Sequence, residues 1–212
     1  MSKIKDGLNL KGTPAEIPDV DRYDLPAFFV EMGYKTGVEI GVEKGKFTEK
    51  FAQVGLKMFG VDPFLVYKGF DNDPVLNQPR IDILAEVARK RLERYKNVTL
   101  IKKLSMDAVE DFEDNSIDFV YIDGNHGFRY VSEDIWEWHR RVKPGGVVAG
   151  HDFALGPWPV YSGFAIHVPY VLPVVTKILG VKNWYVLGEY KAKPGEKRET
   201  FRSWFYIKPY EK

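Results

Sequence analysis

The chain contains no cysteine. Disulfide frameworks, cysteine-ligated zinc, iron–sulfur clusters and thiol nucleophiles are therefore excluded. It lacks an excess of charge: 31 basic side chains against 30 acidic ones leave a formal net charge of +1. Nothing in that balance calls for nucleic acid or an anionic membrane as partner. No apolar run reaches the length of a membrane span. The opening Met1-Ser2-Lys3-Ile4-Lys5-Asp6-Gly7 has no apolar stretch of the signal-peptide kind. Internal repeats and low-complexity tracts are also missing. A cytoplasmic location is the default expectation for such a chain, and 212 residues suit one compact domain.

Lys, Gly, Pro and Asp mix in the first residues, so 1–20 read as a loose N-terminal arm and 21–212 as the domain. Leu25 to Met32 reads as a short helix, with Asp24 as its cap and Pro26 in its first turn. Short β-like runs then alternate with helical stretches. Strands are expected at Val38–Ile40, Leu56–Val61, Val98–Ile101, Ile117–Ile122 and Val147–Ala149. Helices are expected from about Gly45 to Val54, Ile81 to Tyr95, Met106 to Phe112 and Tyr130 to Val142. A long loop rich in Asp, Asn and Pro is expected from Asp62-Pro63 to about Pro79. Such alternation implies parallel β-α units with helices on both faces of the sheet. After a helix at Val168–Leu179 come two strands, Trp184–Leu187 and Ser203–Ile207, joined by the charged loop Lys191–Thr200; they read as an antiparallel, hairpin-like ending.

Glu39-Ile40-Gly41-Val42-Glu43-Lys44-Gly45 lies between a strand and a helix. Glycines there permit a sharp turn and close ligand approach. A dinucleotide fingerprint needs glycine where Glu43 stands, and its carboxylate would repel phosphate. A P-loop needs a different glycine spacing and Ser or Thr after its lysine, whereas Phe47 follows Lys46. S-adenosylmethionine has no phosphate and tolerates the acids. A plain tight turn is the other reading of this loop alone. Asp62 closes the second strand, where a carboxylate accepts from both ribose hydroxyls in open α/β folds; it is also a turn former before Pro63.

The fourth strand ends in Asp123-Gly124-Asn125-His126 and the fifth in Gly150-His151-Asp152. Both tips are expected at the carboxyl edge of a parallel sheet, so Asp123 and Asp152 can converge. Two carboxylates plus waters suit a hard divalent cation such as Mg²⁺. His126 is a candidate general base, or else a surface loop residue. His151 is either a further ligand or an inert neighbour, and Asp123 either a ligand, a cosubstrate contact or a helix cap. Trp136, Trp138 and His139 read as helix packing, and Arg89 to Lys96 as a solvated helix face.

These segments together resemble the class I methyltransferases, and within them methyltransferase family 24. The resemblance is carried by Val38 to Gly45, Gly60-Val61-Asp62-Pro63, Ile117 to His126, Val142-Lys143-Pro144-Gly145-Gly146 through Asp152, and Ser203-Trp204-Phe205. It implies a Rossmann-like seven-stranded sheet with one antiparallel strand. It implies S-adenosylmethionine held by Glu39, Gly41, Gly45, Asp62 and Asp123, with Ser105 to Asp107 beside the adenine. The Asp-x-x-His arrangement is similar to that of metal-dependent O-methyltransferases acting on sugars and catechols. That likeness implies Asp123 and Asp152 as metal ligands and His126 as base, with His151 beside Asp152 as a further candidate ligand. The pair after the fifth strand departs from the usual two acids, or acid and amide, and histidine there leaves room for Mn²⁺ or for no metal. The expected partner is a small-molecule hydroxyl, with Trp158, Tyr161 and Phe164 as acceptor walls, and copies of such chains often associate. A metal-independent enzyme acting on an amine or carboxylate and a non-catalytic binding protein are the alternatives.

Overall fold

A computed structural model describes residues 2–67, 77–154 and 167–210. The expected aromatic walls Trp158, Tyr161 and Phe164 lie outside the described residues. The elements are α1 (Lys3–Gly7), β1 (Ala15–Ile17), α2 (Leu25–Glu31), β2 (Thr36–Ile40), α3 (Lys46–Gln53), β3 (Lys57–Val61), α4 (Gln78–Leu92), β4 (Val98–Ile101), α5 (Ser105–Ala108), β5 (Ile117–Ile122), α6 (Phe128–Arg141), β6 (Val142–Phe153), α7 (Val168–Ile178), β7 (Tyr185–Leu187) and β8 (Arg202–Ile207).

All described strands form one sheet of order β1-β7-β8-β6-β5-β2-β3-β4. β8 runs antiparallel to β6 and β7, and every other pairing is parallel. The α/β class and the antiparallel ending agree with the sequence. The strand count does not, for the described residues form eight strands rather than seven. The extra strand, β1, comes from the stretch expected to be a loose arm. Ala15, Glu16 and Ile17 pair with Tyr185, Val186 and Leu187. Ile4, Ala15, Ile17 and Val20 are buried, which explains the order: their apolar surface has left water against β7 and α2.

Side-chain alternation divides the core between the two faces of the sheet. On one face Val38, Val120, Val148, Trp204 and Tyr206 meet Val131, Ile135 and Trp138 of α6 and Val171, Leu172 and Val175 of α7. On the other, Phe119, Tyr121, Val147 and Phe205 meet Phe28 and Phe29 of α2 and Phe47 and Phe51 of α3. Trp138 and His139 are buried as expected, but Trp136 is 41% exposed.

Two local expectations change. Asp24 makes no side-chain cap for α2; Asp21 instead caps the turn Arg22–Asp24 in a reciprocal box, with the Asp21 N–H donating to Asp24 Oδ2 at 3.0 Å. The run 89–96, expected as a solvated helix face, leaves α4 after Leu92 and is not wholly solvated: Arg91 and Arg94 pair with the buried Glu49. No helix among the described residues is long and apolar enough to cross a membrane.

Candidate active site

The parallel strands all deliver their carboxyl ends to one edge, and a cavity of about 830 Å³ opens there. That size suits a cofactor-scale ligand. Its floor is the turn after β2. Gly41 has φ +89°, and a Cβ on it would lie 2.1 Å from the Asp123 carbonyl oxygen, so only glycine fits between the tips of β2 and β5. The Gly41 N–H donates to the Val61 carbonyl (2.9 Å) and the Asp123 N–H to the Ile40 carbonyl (2.8 Å), which ties three strand tips together. Arg91 braces the same turn from α4, its Nε donating to the Lys44 carbonyl at 2.9 Å.

Of the residues singled out in the sequence, Glu39, Gly41, Asp62, Ser105, Asp123 and His126 all line the cavity. Gly45 and Asp107 do not. Gly45 is the left-handed residue preceding α3 and packs against Leu92, so its glycine serves the turn and the α3–α4 contact. Asp107 is exposed, because the short α5 turns Ser105 inward and carries Asp107 to the outer side.

Asp62 uses Oδ2 to accept from the Val42 and Glu43 N–H groups, both at 3.0 Å, and Oδ1 from Phe64 at 2.8 Å. It shapes the glycine turn as well as lining the cavity. Burial raises its pKa and those three backbone donors oppose the rise. Glu39 is buried beneath the cavity with Thr48 Oγ1 donating to it. Burial pushes its carboxyl up to about 8, against the Thr48 hydrogen bond, and the Asp123 charge adds to the rise. Asp134 of α6 is a buried acid in the cavity wall that sequence reasoning missed. Ser105 Oγ donates to it and accepts from Trp138 Nε1 at 2.8 Å. The available signal was an acid on the apolar stripe Val131-Ile135-Trp138.

The strand tips β5 and β6 bring the charged groups together. His126 Nε2 lies 2.7 Å from Asp152 Oδ2. Asp152 has φ +60°, at a register irregularity between β6 and β8 spanning Gly150 to Phe153. A bulge of this kind re-aims a side chain at a strand end. Asp123, His126 and Asp152 offer donor atoms that all lie within 4.8 Å of one another.

His151, expected as a metal ligand, is not in that set, and His126 takes its place. His151 Nδ1 is 3.3 Å from Asp152 Oδ1 and 3.7 Å from Asp123 Oδ1, and Nε2 is 3.7 Å from Glu199 Oε1. Burial opposes its charge, yet Asp152, Glu199 and Asp123 outweigh burial and lift its pKa to about 10. Asp123 is raised, first by burial and then by the Asp152 charge, while Asp152 is held low by its two histidines in spite of burial. His126 is raised: the hydrogen bond to Asp152 overcomes the effect of its burial. Arg22, also missed from sequence, closes the cluster at 3.3 Å from Asp123 Oδ2 and 3.1 Å from Glu199 Oε1.

The family model described as a methyltransferase domain, family 24, matches residues 38–153, from β2 to the end of β6. Solved structures share the fold at low identity. An O-methyltransferase family protein from Burkholderia thailandensis is 14% identical with a TM-score of 0.58, covering 88% of this chain and 55% of that one. An O-methyltransferase from Bacillus cereus, in complex with SAH, is 16% identical with a TM-score of 0.57, over 88% of this chain and 80% of that one. The N-methyltransferase NodS from Bradyrhizobium japonicum WM9 is 14% identical with a TM-score of 0.55, over 88% and 96%. A curated relative, the uncharacterized protein y4gI of Sinorhizobium fredii, is 31% identical over 71 residues, which is 31% of this chain and only 8% of that protein. With more than half of its length matched by the family model, the chain belongs to the methyltransferase-domain family.

Proposed function

We propose that the chain transfers a methyl group from S-adenosylmethionine to a hydroxyl of a small molecule such as a sugar or catechol. The observation carrying this reading is the His126–Asp152 pair, 2.7 Å apart, with His126 on the cavity wall beside Asp123 and Asp152 behind it. Asp62 and Ser105 receive the adenosyl part, and the sulfonium lies toward Asp123. The acceptor hydroxyl gives its proton to His126 once that imidazole is neutral, and its oxygen attacks the methyl carbon. A methyl ether and S-adenosylhomocysteine result. Asp152 fixes the ring and stabilises the imidazolium that forms.

Asp123, His126 and Asp152 also fit a divalent cation: two carboxylates and an imidazole converge. That mixed set suits Mn²⁺ somewhat better than Mg²⁺. A cation held there would lower the pKa of an acceptor hydroxyl.

The test is transfer of labelled methyl to panels of sugars, catechols and amines, run after chelation and again with Mg²⁺ or Mn²⁺. Hydroxyl products support the proposal. Methylation of amines alone would overturn it. Loss on chelation with recovery on Mn²⁺ assigns the cation, while full activity after chelation leaves His126 and Asp152 working as an acid–base pair.

A further inference from the structure

The extra strand, β1, leads directly to a residue that lines the cavity. β1 is anchored on β7, the turn after it is capped by Asp21, and the next residue is Arg22. Its guanidinium lies 5.4 Å from the Tyr23 ring centroid and 5.5 Å from that of Phe47. Phe47 is in the first turn of α3, directly beyond the glycine turn. Arg22 is thus fixed from four sides, by two rings, Asp123 and Glu199, and it still lines the cavity. Its Nε is a buried donor without a hydrogen-bond acceptor in good geometry.

The placement matters because of what the cosubstrate carries. Asp62 and Ser105 mark the adenosyl end of the cavity, and the reacting sulfur lies toward Asp123 and His126. The amino-acid tail of the cosubstrate must then run past the glycine turn toward Phe47. Glu39 and Asp123 there suit its ammonium, and its carboxylate needs a cation. Lys46 and Arg129 also line the cavity but are exposed, and Arg129 is held by Glu133 at 2.7 Å. Arg22 is the cation built into the wall.

We infer that Arg22 binds the carboxylate of the methionyl end of S-adenosylmethionine, and that the N-terminal strand exists in this chain to hold it there. The inference rests on the cosubstrate occupying this cavity. A planar guanidinium presents paired donors to a carboxylate, which lysine cannot reproduce.

The test compares two nucleosides on the same protein by calorimetric titration. S-adenosylhomocysteine has the carboxylate; methylthioadenosine keeps the adenosyl and sulfur but lacks the amino-acid tail. The wild type should prefer the first. Arg22→Gln should weaken S-adenosylhomocysteine about 10- to 100-fold, the scale of a charge-assisted contact, and leave methylthioadenosine unchanged. Arg22→Lys should recover part of the loss, and it serves as the second variant if Arg22→Gln does not fold. Equal weakening of both nucleosides, or no weakening of either, overturns the inference. A wild type that binds neither nucleoside removes the occupancy of the cavity itself, which is a separate failure.

Discussion

His126 and Asp152 are joined by a 2.7 Å contact between Nε2 and Oδ2 that links the loop after β5 to the bulged end of β6. Replacing Asp152 by Asn keeps the size and removes the charge that orients and supports the imidazole. Turnover should fall about 10²- to 10⁴-fold, the usual worth of a positioned acid–base group. Binding of S-adenosylhomocysteine, measured by calorimetry, should persist, since Asp152 does not line the cavity. Unchanged turnover would show that the pair takes no part in transfer.

Gly41→Ala tests the close approach of two strand tips. The added Cβ would meet the Asp123 carbonyl oxygen at 2.1 Å with φ at +89°. A loss of about 1–3 kcal/mol in urea denaturation is expected from the strained backbone, together with loss of nucleoside binding. Gly55 offers the control: its φ is +87° but nothing lies within 4 Å. Gly55→Ala should cost about 1 kcal/mol from backbone strain alone and leave binding intact.

Asp134 makes stability depend on pH. Burial lifts its carboxyl to about 7 from 3.8, against the hydrogen bond from Ser105. Between those values the folded chain keeps a proton that the unfolded chain releases, so this group's contribution falls as pH rises through that window and is level above it. Asp134→Asn removes the effect. Its unfolding free energy relative to wild type should improve steadily from pH 4 to pH 7, by up to about 4 kcal/mol at 1.36 kcal/mol per pKa unit. A constant difference across that window would mean that Asp134 is ionised in the fold.

Ile17→Ala probes the edge strand. Ile17 is 1% exposed and pairs with Leu187. The cavity left should cost about 2–5 kcal/mol, read as a lower Tm. Binding of S-adenosylhomocysteine should weaken with it if β1 sets the position of Arg22.

The elements legible in the sequence were those whose signal is local. Val98–Ile101 and Ile117–Ile122 are apolar runs bounded by polar residues, and the structure has strands over just those residues. Ala15-Glu16-Ile17 is too short to signal a strand, and its pairing is dictated by β7, distant in the chain. β6 runs from Val142 because its early residues also pair, Val142 with Ile117, so Pro144-Gly145-Gly146 does not mark its start. Glu39, Asp62 and Asp123 could be placed because strand order alone puts them at one edge. The exchange of His151 for His126 could not, since the bulge before Phe153 decides which side chains turn inward. Arg22 was hidden for the same reason as β1: only the tertiary pairing brings it to the cavity.

Both margins of the sheet are short, three residues in β1 and four in β4. A brief edge offers few unpaired backbone groups to a neighbouring chain. Copies of this protein that meet in solution have little template for joining sheets, so lasting self-association would have to be written in side chains on the helical faces. Tyr170, Val174 and Ile178 of α7, each more than half exposed, are where such a contact would find its apolar surface.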